Sequence, residues 1–225
     1  MVKKTLVLPA INADSFQEIV TRLRVIEELV KGHPASAHWA HIDVADGSAS
    51  EIKRWHDPKD LHHVKSSLNL ELHLMERVTL ARLKEWRDQH VRRIYVHPEL
   101  CDDIPALIAY AHEERFELGL ALFRTSQLST ITPYITTCAG VLVLAVTPGM
   151  SGEDIDMSTL ERIQKIRELS RTLPITLDGG VRIGIAHDAI RHGATRLVAA
   201  SAIFNQSDPT SAYERLLHDA ESACK

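Results

Sequence analysis

Four residues of this sequence have side chains suited to holding a divalent cation. They are His41 and Asp43, two apart in His41-Ile42-Asp43-Val44, His73 in Glu71-Leu72-His73-Leu74-Met75, and Asp178 just before Gly179-Gly180. A spacing of two puts His41 and Asp43 on one face of a strand. Two imidazoles and two carboxylates form a mixed nitrogen and oxygen donor set, which suits one zinc, ferrous iron, manganese or cobalt ion better than calcium or magnesium. Taken singly each has an ordinary explanation, because a strand-end histidine is often a hydrogen-bonded pocket residue and Asp before Gly is a common turn former. A second constellation is rich in small residues: Gly149-Met150-Ser151-Gly152, Gly179-Gly180 and Ala200-Ser201. Loops of that kind present backbone N–H groups to a phosphate, with glycine permitting the close approach.

The elements that would position these groups follow from hydrophobic patterning. Short apolar runs alternate with longer stretches of helical period along the whole chain, the pattern of repeated βα units around a parallel sheet. Strands are expected at Thr5–Ala10, Ala37–Val44, Leu68–Leu74, Arg93–His97, Leu118–Phe123, Gly140–Val146, Pro174–Leu177 and Arg196–Ala200. Between the first two, Asp14 is placed to cap a helix whose Phe16, Ile19, Val20, Leu23, Ile26 and Val30 share a face. Leu160, Ile163, Ile166 and Leu169 repeat the period before the seventh strand, and Asp208-Pro209 supplies a cap and first-turn proline for the last helix. A thinner apolar stripe suggests a second helix within Asp57–Ser67. An open doubly wound sheet would carry a glycine-rich turn after the first strand, but that turn reads Pro9-Ala10-Ile11-Asn12-Ala13-Asp14. The expected fold is therefore an α/β (β/α)8 TIM barrel, one domain over residues 1–225. In such a barrel the C-terminal strand ends line the active-site face. His41, Asp43, His73 and Asp178 all fall there, and that coincidence makes them one site.

Composition narrows the function classes. The chain has 225 residues, 44% hydrophobic and 25% charged, with a net charge of -4 and no basic run. Such a surface offers no footprint for nucleic acid or an acidic membrane, and a small-molecule ligand fits better. Lys3 and Lys4 before Leu6-Val7-Leu8 imitate a signal peptide, but Asn12 and Asp14 interrupt the apolar run, which reads as a first strand. No stretch approaches the ~20 apolar residues of a spanning helix. Cys101, Cys138 and Cys224 show no paired spacing, so a reducing, cytoplasmic home is expected.

The segments Leu8-Pro9-Ala10-Ile11-Asn12-Ala13-Asp14, His41-Ile42-Asp43-Val44-Ala45-Asp46-Gly47, His73-Leu74-Met75, His97-Pro98-Glu99, Thr147-Pro148-Gly149-Met150-Ser151-Gly152, Asp178-Gly179-Gly180-Val181 and Ser201-Ala202-Ile203-Phe204 together resemble the ribulose-phosphate 3-epimerase family. They occur in the family's order over nearly the whole chain. The resemblance implies a metal-dependent epimerase interconverting D-ribulose 5-phosphate and D-xylulose 5-phosphate. It matches His41, Asp43, His73 and Asp178 to the metal ligands, and makes Asp43 and Asp178 the acid and base on opposite faces of the sugar. The chemistry is coherent, since loss of the C3 proton beside the C2 ketone gives an enediolate that a cation stabilises, and inversion needs a proton from the other face. The implied partner is a small phosphorylated ketose, with association into a homo-oligomer left open.

The departures from the family are equally specific. Ala10 stands in place of a serine, while Ala45 and Leu144 stand where methionines commonly flank the metal site, leaving Met75 as a substrate contact. Ser48-Ala49-Ser50-Glu51 and Arg124-Thr125 replace family segments, and Ala200 replaces a glycine. In the phosphate loop Ser151 and Glu153 replace glycine and glutamine; Glu153 would repel a phosphate unless Arg182 or Arg124 compensates. These changes leave open an epimerase for a different ketose phosphate, or a non-catalytic sugar-phosphate sensor on the same fold. A decarboxylase of the ribulose-phosphate-binding kind is disfavoured, because Asp43-Val44-Ala45-Asp46 lacks its lysine. His38, His62, His63 and His192 read as surface residues, Trp39, Trp55 and Trp86 as packing, and Cys101 has no visible base.

Overall fold

The computed structural model describes residues 5–150 and 154–223. Eight parallel strands close into a barrel in sequence order: β1 Leu6–Ile11, β2 Trp39–Ala45, β3 Asn69–Met75, β4 Val91–Val96, β5 Glu117–Leu122, β6 Val141–Leu144, β7 Ile175–Asp178 and β8 Arg196–Ala199. Closure is made by β1 pairing with β8. Around it lie α1 Phe16–Val30, α2 Leu80–Glu85, α3 Ile104–Glu113, α4 Ser158–Leu169, α5 Ile185–Arg191, α6 Ser201–Phe204 and α7 Pro209–Ser222. None of the described helices is long and apolar enough to cross a membrane.

Alternation along each strand divides the core in two. Ile42, Val44, Leu70, Leu72 and Leu74 pack outward against the helices, with Ile19, Leu23 and Ile26 of α1 among their cluster. Ala45, Met75, Tyr95, Ala121, Leu142 and Leu144 fill the barrel interior instead. Gly119 makes room for one of them, since a Cβ there would lie 2.2 Å from the Tyr95 ring. The lower interior, toward the N-terminal strand ends, is charged rather than apolar. Glu71 and Arg93 are both buried and ion-paired, Arg93 also pairs with Glu117, and Arg196 reaches Glu117 at 3.4 Å. Tyr95 Oη closes the layer, 2.8 Å from Thr176 Oγ1 and 3.2 Å from Arg196.

Local chemistry corrects four expectations. The N-cap of α1 is Ser15, whose hydroxyl accepts from the Glu18 N–H, while the Asp14 carboxylate pairs with Arg54 at 2.6 Å. The stretch 57–67 forms a 3-10 helix, Pro58–His63, and its buried residues Pro58, Leu61 and Val64 recur every three positions, the period of a 3-10 helix. Leu169, at the end of α4, is exposed although its period matched Leu160, Ile163 and Ile166. Asp208 caps α7 and Pro209 opens it, as expected. His62 and His63 are exposed, but His38 and His192 are half-buried and bonded to backbone carbonyls. Trp55 and Trp86 are buried edge to face at 5.4 Å, and Trp39 carries the Arg93 guanidinium 4.3 Å from its ring centre.

Candidate metal centre

Register brings the four sequence-predicted ligands together. Asp43 on β2 lies directly opposite His73 on β3, and His41 opposite Glu71. Asp178, the last residue of β7, closes the group from across the barrel. All four are buried, and their donor atoms lie within 4.8 Å of one another. Asp43 Oδ1 is 3.2 Å from both His41 Nε2 and His73 Nδ1, and Asp178 Oδ2 is 3.1 Å from His73 Nδ1 and 3.7 Å from His41 Nε2. The inward-facing atoms are thus Nε2 of one imidazole and Nδ1 of the other.

The outward nitrogens are held just as firmly. His41 Nδ1 is 2.7 Å from Glu71 Oε1, and His73 Nε2 is 2.9 Å from His97 Nε2. The His97 ring stacks on Phe123 with centroids 3.6 Å apart and planes at 8°. Burial would make His41 and His73 harder to protonate, but contacts with Asp43 and Glu71 raise His41 well above its ordinary pKa, and contacts with Asp178 and Asp43 raise His73. Burial likewise opposes ionisation of Asp43, yet hydrogen bonds from His41 and His73 hold it below the usual carboxylate range. His97 is pushed well below the usual histidine value by burial and by the neighbouring His73. A neutral His97 accepts from the His73 Nε2–H, so the outer bond leaves Nδ1 of His73 facing the carboxylates.

This donor set fits a metal ion. Asp178 Oδ2 is buried without a well-formed hydrogen bond, although His73 Nδ1 lies 3.1 Å away. A buried carboxylate oxygen left in that state is costly unless a cation satisfies it. The two histidines and two aspartates supply four such donors around one point.

The pocket above the group is lined by Asp43, Asp178, Met75 and Leu144, with Ala10 and Asn12 from the end of β1. Gly149, Gly179, Gly180, Ala200 and Ser201 complete its wall, so those expected phosphate-loop residues share one cavity with the metal set. Gly179 has φ +91°, and a Cβ there would meet Val146 at 2.5 Å, which ties the close turn to glycine. Ser151, Gly152 and Glu153 lie outside the described residues. Arg182 does not line the cavity; its guanidinium is 3.0 Å from Asp154. Arg124 also stands apart, 4.0 Å from Asp156. A larger cavity of about 720 Å³ opens at the other end of the barrel beside Trp39, Arg93 and Arg196, but it has no comparable set of ligands among the described residues.

Sequence reasoning passed over three residues here. Asn12 lines the pocket with a buried Oδ1 that has no hydrogen-bond partner among the described residues. Glu71 and His97 hold the outer nitrogens of the ligand histidines. The spacing of two between Glu71 and His73 was a visible signal, and Asn12 and His97 stood in family-like segments with no role assigned to them.

Comparison with known proteins identifies the family and the fold. The sequence model described as the ribulose-phosphate 3 epimerase family matches residues 13–204. The chain is 28% identical over 219 residues to a ribulose-phosphate 3-epimerase of Chlamydia trachomatis, covering 94% of this chain and 91% of that one. It is 24% identical over 226 residues to the Escherichia coli K12 protein of the same name, covering 98% and 96%. Among solved structures it resembles a 3-hexulose-6-phosphate synthase from Salmonella typhimurium, with a TM-score of 0.71 and 15% identity over 97% of this chain and 99% of that one. At that identity the likeness concerns the fold.

Proposed function

The chain belongs to the ribulose-phosphate 3-epimerase family and is a carbohydrate epimerase, and from that premise we propose that it inverts C3 of a phosphorylated ketose at a divalent-metal site, D-ribulose 5-phosphate being the first substrate to test. The observation that carries this reading is the convergence of His41, Asp43, His73 and Asp178 at the C-terminal mouth of the barrel. These four residues would hold the ion. When bound, a divalent cation supplies positive charge beside the oxygen on which negative charge grows as the C3 proton leaves.

Asp43 and Asp178 are the proton carriers in this reading. The enediolate is planar, and a single carboxylate returns a proton only to the face it came from, so inversion needs one on each side. Asp43 and Asp178 enter the pocket from β2 and β7, on different sides of the barrel, which supports that division of labour. Met75 supplies an apolar contact, and the loops with Gly149, Ser151, Gly152, Gly179, Gly180, Ala200 and Ser201 take the phosphate. Ala10 and Asn12 in the pocket wall favour a test over several ketose phosphates rather than one.

The test follows C3 proton exchange and epimer formation in deuterated water, with metal content measured in parallel. Asp43→Asn and Asp178→Asn are each expected to lower inversion by at least about 100-fold, the scale of a lost acid or base. Either variant should still exchange the C3 proton of one epimer. Near-normal epimerisation by either, with metal bound, would overturn the two-carboxylate mechanism.

A further inference from the structure

We propose that Glu71, anchored by Arg93, is a positioning residue for the metal site, fixing the His41 imidazole so that Nε2 is the atom offered to the ion. This rests on the metal-centre reading above and extends it inward, into the lower half of the barrel.

A buried acid and base inside a barrel call for a reason. Replacing such a pair with apolar residues of similar volume is often neutral or stabilising, so the ion pair is weak evidence of stability. Here one end of the charged layer touches a ligand. Glu71 Oε1 accepts a hydrogen bond from the His41 Nδ1–H at 2.7 Å, and its other oxygen is bound by Arg93. Arg93 is itself held by Glu117 below and by the Trp39 ring at 4.3 Å, so neither Glu71 nor Arg93 has freedom to turn.

The geometry also dictates a tautomer. An ionised carboxylate only accepts, so Glu71 keeps a proton on His41 Nδ1, and the proton that Nε2 shares with Asp43 is the one an incoming ion displaces. A carboxamide in place of Glu71 offers N–H groups as well, and by donating to Nδ1 it would leave the proton on Nε2, where the ion must bind. Arg93 engages the second oxygen of Glu71 and keeps the first on the imidazole.

The experiment measures dissociation constants for Zn²⁺ and Mn²⁺ by competition with a chromophoric chelator, using stripped wild-type protein, Glu71→Gln, Arg93→Met and the double variant. Glu71→Gln is expected to bind about 10- to 100-fold more weakly, the usual scale for losing an outer partner of a ligand histidine. Arg93→Met should also weaken binding, although it touches no ligand, and the double variant should be no weaker than Glu71→Gln alone. Arg93→Lys should recover part of the loss, and ¹⁵N spectra of the zinc-loaded wild type should show His41 protonated at Nδ1. Affinity within about twofold of wild type in Glu71→Gln and Arg93→Met, or fully additive losses, would overturn the proposal while leaving the metal site standing. Failure of the wild type to bind either ion would sink both. If Glu71→Gln does not fold, the comparison of Arg93→Met with Arg93→Lys decides.

Discussion

At the scale of single residues, burial separates groups that look alike in the sequence. Cys101 sits just past His97-Pro98-Glu99, near the site, yet its thiol donates to the His97 carbonyl at 3.2 Å and burial pushes its pKa up to about 12. Cys138 is raised to about 11 for the same leading reason. The thiolate is the reactive form, so at pH 8 each thiol should alkylate at least about 100-fold more slowly in the folded protein than in denaturant, with the rate climbing as pH rises toward those values. Peptide mapping after iodoacetamide treatment reads this directly, and rapid labelling of Cys101 in the native protein would contradict it. The ligand set was legible because strand alternation alone puts His41 with Asp43, and because Asp178 precedes a glycine pair at a strand end. Asn12 was not, since asparagine after a strand reads equally well as a turn former, and only a closed pocket shows that its Oδ1 lacks a partner. Glu71 had its spacing to His73, but its meaning depends on Arg93, a strand away and 22 residues further on.

The elements were readable where a long periodic stripe or a strand run existed. All eight strands begin and end within two residues of the expected positions, because each is a short run with apolar residues on its outward face, bounded by polar loops. Helix starts were less secure, as α1 shows: Asp14 and Ser15 are both good caps, and only the backbone decides between them. Ser15→Ala should cost about 1 kcal/mol of stability, the usual loss for an N-cap hydroxyl. Asp14→Ala loses an exposed ion pair and should cost about 0.5 kcal/mol or less. Urea titrations of the two variants check the order, and a larger loss for Asp14→Ala would mean that its bond to Arg54 matters more than the cap. That bond has a second function within the loop. Arg54 also donates twice to the Gly149 carbonyl, at 2.8 and 3.2 Å, and Ser50 Oγ donates to Pro148 O at 3.0 Å. The segment after β2, which departs from the family pattern, therefore bears on the Pro148–Gly149 turn beside the pocket.

Across the whole molecule, closure into a barrel was legible from eight strand runs and the absence of a glycine turn after β1, whereas the charged lower interior was not. Glu71, Arg93, Glu117 and Arg196 are scattered over four strands, and each alone reads as a strand-edge charge. Because β2, β3 and β7 all contribute ligands, an ion bound by them cross-links distant parts of the chain. Saturation at about 100 times the dissociation constant should add about 2.7 kcal/mol, or roughly 5–10 °C in the unfolding midpoint of a protein this size. Calorimetry before and after chelator treatment measures it, and an unchanged midpoint with metal bound would mean the site is equally available in the unfolded chain. The same distribution limits how the molecule can be divided. A cut between β4 and β5 leaves His41, Asp43, His73, Glu71 and Arg93 on one fragment, and Asp178, Glu117 and Arg196 on the other. The first fragment keeps three ligands and loses the acid beneath Arg93, while the second inherits a lone carboxylate with nothing to oppose it. This barrel is thus a poor source of interchangeable halves, and a chimera must inherit both halves of its charged floor from one parent.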